Sequence, residues 1–371
     1  MALANTSTLT AASSQWASRP DDERFVSLLD LQAHCDTQRR RSAGKVVSSR
    51  SLTAQPDPDA PLAGLQLVSE AGVVASPTHF AFGQLANRAG APAGYLRGLP
   101  APLAADCLNY GLKVERDVEE IGVLLRRNEN GLSIDAATGP NYGRVWNKTI
   151  ADALVRNFGD GLTGDWRVPG EFGRRVEVSK ANTTLYAGDR DMFVFLADED
   201  NRIELPNRRG GHAGSLARGF FVRNSEVGAG ILEVTAFLFD YVCCNRIVWG
   251  AQDVSRIAIR HTSGAPDRWI EQALPALEEY RHGAASPVEA RLQAAQKTKI
   301  DNVEAFLKAR KWTSTMIARS QAAHEDEEGR PIETVWDLVT GATAYAKSIQ
   351  HQDDRVSVER AAGKLLDLVA A

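Results

Sequence analysis

Between Thr183 and Arg260 the chain reads as β structure almost without interruption. The segments MFVFLADED, RGFFVRNSEVG, ILEVTAFLFDYVCCNRIVWG and DVSRIAIRHT are crowded with β-branched and aromatic residues, which suit a pleated surface. Glycine-rich or charged stretches separate them. Helical patterns lie before and after this block, not between its strands. Such segregation argues against an alternating parallel architecture and points to α+β. The expectation is a central, mostly antiparallel sheet with N-terminal helices and a C-terminal helical bundle packed on it.

The flanks supply the helices. An N-terminal helix is predicted over Asp22–Arg40, with Phe25, Leu28, Leu29 and Leu31 on its apolar side. VVSSRSLTAQ then reads as a strand, and the proline-rich PDPDAPLAG, Pro56 to Gly64, as a loop. LQLVSE and GVVAS read as two short strands. Ser76 and Pro77 have the form of a helix N-cap with proline in the first turn. IGVLLRRN and GLSIDAATG form a hairpin turned at Glu129-Asn130-Gly131, and NYGRVWNKTIADALVRNFG ends in a helix. From Pro266 onward the pattern is helical. SPVE at Ser286–Glu289 is a capping box, and TVWDLVTGATAYAKSI places Val335, Leu338, Val339, Ala342 and Tyr345 on one stripe. This divides the chain into a disordered tail over 1–21, an α+β core domain over 22–262, and a helical region over 263–371 packed on that core.

With 371 residues, 43% of them hydrophobic, the chain has ample apolar material for a core. Its formal net charge of −4 gives no overall field for nucleic acid or an anionic membrane. Any such binding requires a local basic patch. The N-terminus lacks the basic start and apolar core of a secretory signal, and no run of about 18 apolar residues occurs. A cytoplasmic location with no membrane partner is therefore expected. The cysteines, at 35, 107, 243 and 244, form no CxxC pair and read as scattered buried thiols of a reduced protein. In FLFDYVCCNRIVWG the apolar residues fall on both faces of a strand, as in a central covered strand. Cys243 and Cys244 then act as small hydrophobes, one to each face. No phosphate loop, dinucleotide fingerprint, nucleophile elbow or HExxH is present. No catalytic residue and no cofactor is assigned.

The same region carries a family resemblance. In FFVRNSEVGAGILEVTAFLFDYVCCNRIVWG, the turn Asn224-Ser225-Glu226-Val227-Gly228 is followed by a strand and then Val242, Cys243, Cys244 and Asn245. This resembles the phage/plasmid-like family of unknown function 932, the YfjQ/YafZ-like prophage and plasmid proteins. Arg246 stands where the family pattern has glycine. GAPAGYLRGLPAPLAADCLNYGL, YGRVWNKTIADAL, IRHTSGAPDRWIEQAL and TVWDLVTGATAYAK are similar to other family segments, in order, over roughly Phe80 to Ile349. The resemblance implies a gene carried by phages, plasmids and integrative elements. It implies no activity.

The candidate binding residues are basic. LPNRRGGHAGSLARGFFVRNSEVG holds Arg208, Arg209, His212, Arg218 and Arg223, with no acid until Glu226. A glycine-rich loop of arginines beside Phe220 and Phe221 suits a nucleic-acid backbone with stacked, unpaired bases. A second set is Arg126, Arg127, Arg144 and Lys148, interleaved with Tyr142 and Trp146. Arg144 and Lys148, four apart, share a helix face if the helix starts early. The leading expectation is a non-catalytic protein of a mobile element that binds single-stranded DNA in recombination, annealing or replication. Self-association as a homo-oligomer would fit that role, though no sequence feature demands it. One alternative is a metal-dependent nuclease using Asp189, Asp191 and Glu226, with Asp198, Glu199 and Asp200 nearby. Another is a protein-binding anti-restriction or host-takeover factor.

Overall fold

A computed structural model describes residues 20–113, 120–129, 131–170, 175–205, 214–240, 245–247, 256–283, 286–349 and 352–369. Apart from its last two residues, the tail expected over 1–21 lies outside these. A 3-10 turn at Asp21–Glu23 and a short strand β1 (Arg24–Phe25) precede helix α1 (Leu28–Arg40). This helix begins later than its apolar pattern predicts. Ser27 caps it, accepting from the Asp30 amide at 3.1 Å, and Phe25 instead pairs with Leu185 in a sheet.

The next segments form a six-stranded sheet with its own helices. In chain order they are β2 (Ser42–Ser48), β3 (Leu52–Asp57), β4 (Ala60–Ser69), β5 (Val74–Pro77), α2 (His79–Arg88), α3 (Ala93–Arg97), α4 (Ala101–Lys113), β6 (Glu120–Asn128) and β7 (Gly131–Thr138). The strand order is β2-β6-β7-β5-β4-β3, antiparallel except for β5 with β7. Three local expectations change here. The single strand predicted over VVSSRSLTAQ is split by a 3-10 turn at Ser49–Ser51. The predicted loop at Pro56–Gly64 is the β3–β4 hairpin, with Pro56 opposite Leu65. Proline is tolerated there because β3 is an edge strand and its missing N–H faces outward. Ser76 and Pro77 end β5, and the cap of α2 is Thr78, whose hydroxyl accepts from Ala81 at 3.2 Å. Strands β2 and β3 stand at opposite ends of the order, yet only three residues join them. The sheet must therefore curl until its edges approach. Leu67, Leu85, Leu108, Ile121 and Ile134 fill its concave side.

The second sheet has nine strands. It follows α5 (Asn147–Phe158) and comprises β8 (Trp166–Arg167), β9 (Leu185–Ala187), β10 (Met192–Asp198), β11 (Ile203–Leu205), β12 (Gly214–Asn224), β13 (Leu232–Asp240), β14 (Asn245–Ile247) and β15 (Ile257–Ile259), joined by β1. Its main path is β1-β9-β10-β12-β13-β14, and each of its pairings is antiparallel. One face carries Val194, Leu196, Phe220, Val222, Val234 and Ala236. These pack against α1, α5 and the helices α6 (Ala265–Arg268) and α7 (Leu274–His282), which a π-helical turn at Trp269–Ala273 connects. The other face carries Phe193, Phe195, Phe221, Phe237 and Phe239, none more than 4% exposed. Both faces are thus closed. This corrects the expectation that Phe220 and Phe221 stack on unpaired bases, because neither presents a ring to solvent.

The quoted stretch at 237–250 is not one strand. Asp240 pairs with Asn245 and Phe239 with Arg246, so the chain doubles back between β13 and β14. Cys243 and Cys244 lie outside the described residues. Of the other thiols, Cys35 is buried and Cys107 is exposed, which corrects the expectation for Cys107.

The C-terminal helices are α8 (Ser286–Lys297), α9 (Val303–Lys308), α10 (Ser314–Glu328), α11 (Val335–Lys347) and α12 (Gln352–Gly363), ending in a 3-10 turn at Lys364–Leu368. Leu292, Leu307, Leu338 and Leu366 share a core with Leu216 and Leu238 of the nine-stranded sheet. The bundle therefore packs on the sheet, as the α+β reading requires. Helix α11 lies at its centre, and a full capping box of Thr334 and Asp337 starts it.

Candidate nucleic-acid interface

The two sheets meet at the turn Asn224–Gly228, where β12 ends. The side chains of Asn224, Ser225 and Glu226 and the Val227 carbonyl all make hydrogen bonds to other elements. Asn224 donates to the Val145 carbonyl at 2.8 Å and to Asn147 Oδ1 at 2.7 Å. The Ser225 hydroxyl donates to the Arg190 carbonyl at 2.6 Å and accepts from Ala229. Glu226 Oε1 accepts the Asn147 amide at 2.7 Å, at the N-terminus of α5, and Oε2 accepts from Arg126 of β6 at 3.1 Å. A carboxylate at a helix N-terminus satisfies an amide that has no intrahelical acceptor. The Val227 carbonyl accepts from Gln84 of α2 at 2.8 Å. Gly228 has φ +87°, a conformation that costs glycine nothing. One five-residue turn therefore ties α2 and β6, on the side of the first sheet, to α5 and the loop before β10, on the side of the second. Burial raises the pKa of Glu226, against the pull of the Asn147 amide and of Arg126, Arg144 and Arg39.

This turn forms one wall of a groove. A section of about 430 Å³ is lined by Gln84, Asn87, Arg88, Ala137, Thr138, Gly139, Tyr142 and Gly228. An adjoining section of about 370 Å³ shares Gln84 and Asn87 and adds His79, Phe80, Gly83, Arg97 and Arg190. Both run along the exposed side of α2. Among the described residues three arginines line the groove and no carboxylate does. Arg97 donates to the His79 carbonyl at 2.7 Å and lies 5.3 Å over Phe82. Arg190 lies 5.6 Å over Phe80. Arg88 donates through Nε to the Ala137 carbonyl at 3.0 Å. Arg97 and Arg190 are both exposed. The charges of Arg97 and Arg190 rest on aromatic faces and, for Arg97, a carbonyl, none of which neutralises them.

At Tyr142 the groove meets a stack of rings and guanidinium groups. Arg39 lies 4.1 Å over Trp146, and Arg144 lies 5.5 Å from Trp146 and 5.3 Å from Tyr142. His261 stacks on the other ring at 4.8 Å. The Tyr142 hydroxyl donates to the Ser225 carbonyl at 2.7 Å, and Arg144 Nε donates to the Glu226 carbonyl at the same distance. Burial pushes the Tyr142 phenol up and the Arg144 guanidinium down from their ordinary pKa values. Burial likewise lowers His261, with Arg144 adding to the effect, so its ring stays neutral beside the arginine.

The sequence-predicted residues divide among different roles. Arg208, Arg209 and His212 lie outside the described residues. Arg218 is 5% exposed and faces the helices, not solvent. It pairs with the buried Asp198 at 2.9 Å, donates to the Gly283 carbonyl at the end of α7, and sits among Trp166 and Tyr280. It therefore joins sheet to helix and is withdrawn from a phosphate-binding surface. Arg223 stands 3.3 Å from Glu233. Arg144 precedes α5 and so shares no helix face with Lys148, which pairs with Asp152 and stands 3.9 Å from Asp36. The carboxylates proposed for a metal are dispersed. Asp198 is bound to Arg218, Glu199 to Arg202, and Asp200 to Arg167, while Glu226 is held in the turn. Asp189 is exposed and Asp191 half-buried. Among the described residues no three His, Cys, Asp or Glu side chains are grouped to hold a metal ion. No helix among them is long and apolar enough to cross a membrane.

Arg88, Arg97 and Arg190 were not singled out by the sequence. A signal for two of them exists, since no carboxylate occurs between Glu70 and Asp106, a stretch that contains His79, Arg88 and Arg97. The comparisons bear on the turn and on the nine-stranded sheet. The family model for a domain of unknown function, DUF932, matches residues 174–367, more than half of the chain. The chain belongs to this family. The DUF932 match takes in the Asn224–Gly228 turn, β9 to β15 and the C-terminal helices. It leaves out the six-stranded sheet and the similar segments at Gly90–Leu112 and Tyr142–Leu154. No curated protein and no solved structure matches the chain.

Proposed function

We propose that this DUF932 protein binds a single strand of nucleic acid in the groove along α2. The observation that carries the reading is a groove onto which the exposed Arg97 and Arg190 open and which, among the described residues, no carboxylate lines, in a chain whose net charge is −4. Acids elsewhere set the overall charge, and the groove keeps a local positive field. Guanidinium forks match phosphate oxygens. Asn87, exposed on α2, offers an amide to base edges. Sections of this size fall within the usual range of ligand sites, about 300–1,000 Å³. They have room for a short stretch of one strand. The rigid turn at Asn224–Gly228 holds the groove wall without needing the ligand. In the mobile-element setting that the family resemblance implies, such a protein serves recombination, annealing or replication.

The test is a fluorescence-anisotropy titration of labelled oligonucleotides at several salt concentrations, with and without Mg²⁺. Single-stranded DNA should bind more tightly than duplex. Replacing Arg97 and Arg190 together by Gln should weaken binding and lower the salt slope by roughly 1.4, about 0.7 for each phosphate contact on a single strand. Both side chains are exposed, so thermal stability should stay within about 0.5 kcal/mol of the parent. An unchanged slope in the double variant refutes the groove. Shortened DNA only in Mg²⁺ supports the nuclease reading instead.

A further inference from the structure

A second basic site lies on the aromatic face of the nine-stranded sheet. Glu233 of β13 shares that face with Phe237 and Phe239, because side chains two apart on a strand point the same way. Its carboxylate is 4% exposed and meets guanidinium groups from three elements. Arg256, one residue before β15, donates through Nε to Oε1 at 2.8 Å. Arg360 of α12 donates to the same oxygen at 2.6 Å. Arg223 of β12 lies 3.3 Å from Oε2. The Thr235 hydroxyl adds a fourth donor at 3.0 Å.

Among the described residues, Arg256 and Arg360 outnumber the carboxylate they face. Arg256 and Arg360 share this one carboxylate, and neither has another carboxylate partner among the described residues. Their forks are only partly used. Arg256 bonds through Nε alone, and Arg360 Nε is buried without an acceptor. The two side chains are 41% and 28% exposed, so unused N–H groups reach the surface. Burial pushes the Arg360 pKa down, with Arg256 and Arg223 adding to the effect and Glu233 opposing it. Burial alone would raise Glu233, but Arg223, Arg256 and Arg360 outweigh it and hold the carboxyl below its ordinary range.

We propose that this cluster is a phosphate-binding site, with Arg256 and Arg360 as donors and Glu233 as the carboxylate that orients them. A tetrahedral oxyanion offers paired oxygens that match two guanidinium forks. A doubly charged phosphate group also relieves the repulsion that one carboxylate leaves between the arginines. A carboxylate ligand would bring a single charge and only two oxygens. The site shares no residue with the groove along α2 and stands or falls separately from it.

The experiment is a calorimetric titration of the full chain with inorganic phosphate at low ionic strength. Saturable binding is expected, weakened at least tenfold by Arg256→Gln. Arg97→Gln with Arg190→Gln should leave it unchanged. Glu233→Gln is a second variant with its own readout. Without the carboxylate, phosphate becomes the anion for Arg256 and Arg360, so it should raise the thermal midpoint of this variant more than that of the parent. Two further arms use an oligonucleotide with a 5′-phosphate and one with a 5′-hydroxyl. Preference for the former assigns the site to a strand end, and equal binding assigns it to free phosphate. No saturable phosphate binding by the parent, or the same binding in both variants, overturns the proposal.

Discussion

If the turn at Asn224–Gly228 joins the two sheets, Glu226→Ala should cost about 3 kcal/mol. The side chain is 7% exposed, and removing it has two consequences. The Asn147 amide loses its acceptor inside the protein, which costs about 1–3 kcal/mol. Arg126 loses one of two carboxylates. Breaking a buried pair outright costs about 3–5 kcal/mol, but Arg126 keeps Asp135 at 2.9 Å, so the lower end applies. Glu226→Gln separates the two contributions. The amide oxygen still accepts from Asn147 and only the charge is lost. Burial already makes the ionised carboxyl unfavourable, so this variant should cost about 1 kcal/mol. The assay is urea unfolding followed by tryptophan fluorescence, with hydrogen exchange in the first turn of α5 and in β6. Faster exchange should appear at both places together. A loss below about 0.5 kcal/mol in Glu226→Ala would refute the joining role. Equal losses in the two variants would show that charge, not the amide acceptor, holds the turn.

Two more outcomes follow from the buried charges. Arg218→Ala leaves Asp198, which is 0% exposed, without its cation, and should cost at least about 3 kcal/mol in a denaturant titration. A near-neutral result would mean that Arg218 is not the partner of Asp198. Stability should also fall as pH drops from 7 through the ordinary histidine range near 6.5, because burial lowers the folded-state pKa of His34 and His261. The unfolded chain then takes up these protons first, so stability rises with pH across this window. His261→Gln should flatten the profile there, and an unaltered profile would exclude its contribution.

How much of the fold was legible depends on how local the cause is. The strands at Met192–Asp198, Gly214–Asn224 and Leu232–Asp240 follow from dense β-branched and aromatic residues, and the β6–β7 hairpin follows from its turn residues. Helix starts were less legible, because a cap competes with pairing elsewhere. Phe25 fits the apolar stripe of α1, yet it pairs with Leu185, a partner far away in sequence. The Pro56 strand was missed for a similar reason. Proline forbids a central strand but not an edge strand, and edge position is a property of the whole sheet.

Arg218 shows what alternation could have revealed about the site. Leu216, Phe220 and Val222 occupy the same side of β12 as Arg218, and that side is core. A charge flanked by apolar residues at two-residue spacing belongs to a buried pair more readily than to a ligand surface. Glu226 is the converse case. The family-like turn was legible as a motif, but its purpose emerges only when β6, α2 and α5 converge on it. The groove arginines come from α2, α3 and the loop before β10, so no spacing in the chain marks them as neighbours. What the sequence does contain is the absence of acids from Ala71 to Ala105. In an acidic protein, that absence means α2 and α3 carry basic side chains and no acidic ones. Composition within a segment, read against the composition of the whole, thus points to the proposed interface where motif spacing cannot.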